Sequence, residues 1–178
     1  MAMTLLATNP DSTDVATVSF TSSINSTYKL YIFKFYDINP ATDNAEFSFQ
    51  VNATDSTGYD RNINSTTFYS DNNEDGTGPA VQITATHDQA NGTAFQPIAW
   101  DVGNGSNESC AGELFLFEPS NTTYVKQFYS RLSTYEGGNY IYDAFTSGYI
   151  NDTTAIDDIQ FKMSAGNMDG VIKMYGVK

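Results

Sequence analysis

The chain has 178 residues, a single cysteine, a single histidine and a formal net charge of −13, from 8 Lys and Arg against 21 Asp and Glu. That length fits one domain able to bury a core without disulfides or metal, and a lone Cys110 excludes an internal disulfide, a zinc cluster or an iron–sulfur centre. The negative charge works against a phosphate backbone as partner, and no apolar run approaches the roughly 20 residues of a membrane helix.

Met1 to Pro10 has no basic stretch ahead of Leu5 and Leu6, so no secretory signal is expected. Residues 1–14 read as an N-terminal arm and 15–178 as the folded domain. The first strand candidate is Ala16 to Phe20. In Tyr28 to Tyr36, Leu30 and Ile32 share one face while Tyr31, Phe33 and Phe35 share the other. Such a strand should be covered on both sides, by a second sheet and by a further element such as a neighbouring subunit. After the Asn39-Pro40 break, Phe47, Phe49 and Val51 alternate with Ser48, Gln50 and Asn52, which predicts a strand with one wet face. Thr66 to Tyr69, Ala80 to Thr86, Pro97 to Val102, Glu113 to Phe117, Tyr124 to Leu132 and Asn139 to Phe145 follow. Ile159, Phe161 and Met163 then alternate with Asp158, Gln160 and Lys162, and Val171 to Val177 closes the chain.

Turn chemistry separates these runs, at Asp55 to Gly58, Asp71 to Pro79, Gly103 to Asn107, Glu136 to Asn139 and Gly166 to Gly170. No stretch of ten residues keeps a helical period. Aromatics make up 14% of the chain and Thr, Ser and Asn together about 30%, which suits pleated surfaces joined by turns. The expected architecture is all-β: a single antiparallel β-sandwich of jelly-roll type with about ten strands and a short N-terminal arm.

Several residues invite a chemical reading. Asp71, Asn73 and Asp75, followed by Gly76, place oxygen ligands at alternate positions before a glycine turn, the first half of a calcium loop. The twelfth position, which should be Glu, is Gln82. Ca2+ is thus the one cofactor the sequence raises, against a polar surface loop as the simpler alternative. His87 beside Asp88 lacks a nucleophile elbow, so a solvated loop histidine is expected. Cys110, between Glu108 and Glu113, lacks the positive surroundings of a reactive thiol and reads as structural. Asp157 and Asp158 are adjacent, and adjacent strand residues face opposite sides. Asn25, Asn52, Asn64 and Asn121 head Asn-x-Ser/Thr triplets, which the abundance of Asn and Thr produces by chance. Tyr59, Phe68, Tyr69, Tyr135, Tyr140 and Tyr142 flank loops; packing is their expected role and a sugar platform the alternative. None of this assembles into a catalytic set, and no enzyme is expected.

The C-terminal run from Asn151 to Gly176, with Ile156, Ile159, Phe161, Gly166-Asn167, Gly170, Ile172 and Tyr175-Gly176, resembles the closing hairpin of a β-sandwich virion protein family of tailed bacteriophages. Phe20 to Lys29 is similar to that family's opening segment, and Asn121 to Phe128 to its middle strand. The likeness spans residues 18–177 and rests on strand alternation and a Gly-Asn hairpin. It implies no catalytic residues. It implies a virion structural protein, first a capsid decoration (cement) protein on the outer shell. Such a protein would contact the major capsid protein, form a homotrimer, and bind neither nucleic acid nor membrane. A nearly cysteine-free chain fits assembly in a reducing host cytoplasm. The alternative is a tail-fibre tip that recognises host-surface glycans.

The charges sharpen the picture. Lys29, Lys34, Lys126, Arg131, Lys162 and Lys173 fall on predicted strands, whereas acids crowd loops such as Asp71 to Asp75. The sheet faces should therefore be close to neutral and the loop ends acidic.

Overall fold

The computed structural model describes residues 2–178. Thirteen strands form: β1 (Met3–Thr8), β2 (Val18–Phe20), β3 (Leu30–Pro40), β4 (Ala45–Ala53), β5 (Ile63–Asn73), β6 (Ala80–Ile83), β7 (Ala90–Gly92), β8 (Gln96–Val102), β9 (Cys110–Phe117), β10 (Lys126–Glu136), β11 (Tyr140–Ile150), β12 (Ile156–Met163) and β13 (Met168–Val177). Among the described residues the only helical piece is a 3₁₀ turn, Ala85–His87.

All pairings are antiparallel, and they define two layers. The large layer runs β1-β13-β3-β9-β10-β11-β5, with β6 and β7 both on the far side of β5; the small layer runs β8-β4-β12-β2. A single bridge, Glu136 to Val102, links the layers, so the sandwich is nearly closed into a barrel. The expected all-β sandwich is what forms, with thirteen strands because β1 and β7 add to the eleven runs that read as strands.

Alternation explains the core. Phe47, Phe49 and Val51 of β4 and Ile159, Phe161 and Met163 of β12 turn inward from the small layer. They meet Tyr31, Phe33 and Phe35 of β3, Leu114 and Leu116 of β9, Phe128 and Leu132 of β10, and Ile172 and Met174 of β13. Phe161 is the hub: its ring lies 5.3–6.4 Å from those of Phe20, Phe33, Phe35, Phe47 and Phe49. Such offset and edge-on contacts add to the area term at each ring.

Two expectations need correction. The N-terminal arm does not stand apart: β1 lies along β13 from Met3 opposite Val177 to Thr8 opposite Lys173. A shift between Leu5 and Ala7 turns Leu6 and Ala7 onto the core, and Asn9 locks the end. The Asn9 amide donates to the Gly170 carbonyl at 3.1 Å, and its side-chain oxygen accepts from the Ile172 N–H at 2.8 Å. The outer face of β4 is not wet either. Ser48, Gln50 and Asn52 are buried because the segments following β4 and β7 fold back over them. The Gln50 amide donates to the carbonyls of Arg61, Thr93 and Ala94 at 2.9, 3.2 and 3.0 Å.

The two-sided strand β3 finds part of its second cover within its own sheet. On the outer face Ile32 sits between Tyr175 of β13 and Phe115 of β9 and is almost fully buried.

Candidate functional site

The outer face of the large layer carries a broad, open depression. Relative to both β9 and β13, β3 carries one extra residue next to Tyr36 and Asp37, seen as register shifts on both flanks. Asp37 takes a left-handed conformation (φ 51°), which Asp tolerates better than most residues. Opposite the bulge stands Gly112, where an added Cβ would strike the backbone of Leu132 at 2.8 Å. The bulge and the bare floor at Ala111 and Gly112 open a groove of about 610 Å³.

Four charged side chains cross this groove with alternating sign. Lys34 Nζ donates to Glu113 Oε2 at 2.9 Å, and Arg131 makes a two-pronged contact with Asp143, both bonds 2.9 Å. The bond to Glu113 raises the Lys34 ammonium above its ordinary range, and Asp143 does the same for Arg131. The Arg131 guanidinium also lies 4.9 Å from the Phe145 ring centre. Tyr36 bounds the groove at one end, with Lys173 5.3 Å from its ring centre, and Ile141 at the other; Ser133 adds a hydroxyl.

Beside the groove lies an apolar patch. Phe68 and Phe145 stack face to face at 4.9 Å, and Phe115 stacks on Tyr129 at 4.5 Å. Phe68 and Tyr129 are 45% and 43% exposed, and Val81 and Ile83 on the adjoining strand β6 are 76% and 82% exposed.

The residues singled out from sequence fall elsewhere. Asp71 and Asn73 belong to β5, opposite Tyr142 and Tyr140 of β11, whereas Asp75 sits in the following turn. Asp75 Oδ1 accepts the Thr77 N–H at 2.8 Å and its hydroxyl at 2.6 Å, while Asp71 Oδ2 accepts from Gln82 at 3.3 Å. The turn thus closes on its own oxygens, and among the described residues no three His, Cys, Asp or Glu side chains cluster as metal ligands.

His87 is not a solvated loop residue. The 3₁₀ turn lays its ring on Trp100 at 4.4 Å, with Nε2 3.3 Å from Glu46 Oε1 and Nδ1 2.9 Å from the Thr84 hydroxyl. The bond from His87 holds the Glu46 carboxyl below its usual range, against burial. Tyr69 and Tyr142 close on Trp100 from β5 and β11, which gives these two of the loop-flanking aromatics a packing role. Cys110 is buried, and burial pushes its thiol up to about 12, in keeping with a structural thiol.

Asp157 and Asp158 also depart from expectation. A bulge against β4 lets both Ile156 and Ile159 face the core, which leaves both carboxylates on the outer side. Burial, and then Asp158, raise the Asp157 carboxyl.

No family model and no curated protein matches the chain.

Proposed function

We propose that the chain is a non-catalytic structural protein of the tailed-phage virion, acting as a capsid decoration protein that binds the outer shell and bridges capsid subunits. The observation that carries this reading is the patch of Phe68, Tyr129, Val81 and Ile83 at one end of the large layer. Large apolar side chains gathered on the surface of a chain of charge −13 mark a protein contact. The free edge of β6 offers backbone groups to the same partner, the major capsid protein or a second copy within a trimer. The likeness of the closing hairpin to virion sandwiches supports the same conclusion.

Cryo-electron microscopy of the particle tests it. Decoration predicts many copies spread over the shell, and Phe68→Asp should abolish particle binding while thermal unfolding stays near the wild-type midpoint. Density confined to the tail would overturn it and leave the second reading, a fibre tip that recognises glycans, which the groove across β3, β9, β10 and β11 favours.

A further inference from the structure

We infer that the groove across β3, β9, β10 and β11 is a binding site for a neutral oligosaccharide. The inference shares its groove and its ligand class with the fibre-tip reading, but not that reading's place in the particle. The chain's place in the particle is tested by copy number, the groove by glycan binding, and either can fail without the other.

Size comes first. The cavity of about 610 Å³ falls within the roughly 300–1,000 Å³ of small-molecule sites. Its shape is fixed by backbone, because the β3 bulge and Gly112 set the floor. No loop has to move to form it.

Charge balance then selects the ligand. Lys34 with Glu113, and Arg131 with Asp143, sum to zero inside the groove. An anion would meet two carboxylates on a chain of charge −13, and a cation would meet an ammonium and a guanidinium. A polyol breaks neither pair. Arg131 has five N–H donors and Lys34 three, and the pairs with Asp143 and Glu113 use only part of them. Each carboxylate likewise keeps lone pairs free. Vicinal hydroxyls, which donate and accept at once, match donors and acceptors alternating across four strands. The ion pairs hold those side chains in place beforehand, which lowers the ordering cost of binding.

The remaining surface fits the other half of a sugar. Tyr36 and Ile141 are each about half exposed at opposite ends and offer apolar faces to ring C–H groups. Ser133 is part of the lining between them and brings a hydroxyl to it.

The experiment screens the full-length protein against an array of neutral hexose and deoxyhexose oligosaccharides printed beside uronic and sialylated ones. The best neutral glycan is then titrated calorimetrically. Neutral glycans should bind, with an affinity unchanged when salt is raised to about 0.5 M. Tyr36→Ala and Asp143→Asn should each weaken binding by about tenfold or more. Ser133→Leu, which adds bulk beside Asp143 without adding or removing a charge, should abolish it. Tyr124→Ala, outside the groove, should leave it unchanged. Circular dichroism confirms that each variant is folded. Absence of neutral-glycan binding at millimolar concentration overturns the inference. So does binding confined to acidic glycans, binding that survives Ser133→Leu, or a self-association that Ser133→Leu alone dissolves.

Discussion

Lys126 Nζ donates to the Thr154 carbonyl at 2.6 Å from inside the sandwich, where the lysine is fully buried. Its second acceptor is another carbonyl, Asp152, at 3.0 Å, so the ammonium ties the start of β10 to the segment between β11 and β12. Burial holds this ammonium below its ordinary range. Lys126→Ala removes the packed stem and strands two inward-facing carbonyls. The expected cost is about 2 kcal/mol by denaturant titration. Lys126→Met refills the volume and should cost less than half as much.

Phe161→Ala is expected to be the most damaging single truncation in the core. The ring touches five other aromatics from both layers, and rigid neighbours on all sides prevent collapse of the space it leaves. The loss should be about 4 kcal/mol in chemical denaturation, with little change in the slope of the transition. A loss under 1 kcal/mol would mean that the two layers do not meet at this ring.

Phe161 was legible because its strand alternates cleanly, and so were Phe47, Phe49, Phe33 and Phe35. The outer face of β4 reads as wet from its sequence, because polarity is not the same as exposure. Gln50 is buried since its amide satisfies three loop carbonyls, a long-range fact that no local pattern encodes. Asp71 and Asn73 looked like loop residues, yet pairing with β11 extends β5 through them. The groove was half legible. Lys34 and Arg131 read as strand cations from the sequence alone. Their partners Glu113 and Asp143 carry no local mark of the pairing, because register across β3, β9, β10 and β11 decides which charges meet. Tyr36 gave no signal of its own; the bulge that makes room beside it appears only in the pairing. His87 reads as a solvated loop residue because its stacking on Trp100 depends on a 3₁₀ turn with no strong sequence mark.

Arg61 joins two acids, Asp55, at a short contact, and Asp152, at 2.6 Å, and its own side chain is mostly buried. Burial pushes the Asp152 carboxyl up, but bonds from Thr154 and Arg61 outweigh it, and the net position is below the ordinary range. A depressed carboxyl contributes stability above its unfolded pKa of about 3.8, and that stability is lost as pH falls through the lower folded value. Arg61→Ala should cost about 2 kcal/mol near neutral pH, and the gap from wild type should narrow below about pH 4. Thermal melts across that acid range read the effect. A gap independent of pH would show that Arg61 acts through packing alone.

The alkaline limb belongs to Tyr142. Burial raises its phenol, and Glu136, Asp101, Tyr69 and Asp71 add to the shift. The same burial, with Asp71 and Asp101, raises Tyr69 beside it. A group whose folded pKa lies above its unfolded value of about 10 contributes stability that is intact below pH 10. Above that, the unfolded chain ionises while the folded phenol keeps its proton, so stability falls as pH rises towards the folded value. Tyr142→Phe keeps the ring against Trp100 and removes the titrating hydroxyl. At pH 8 it should match wild type within about 0.5 kcal/mol. Between about pH 10 and pH 11.5 its midpoint should decline less steeply, with Tyr69 still titrating in both proteins. Denaturant melts at stepped pH make the comparison, and parallel declines would assign the alkaline loss to other groups.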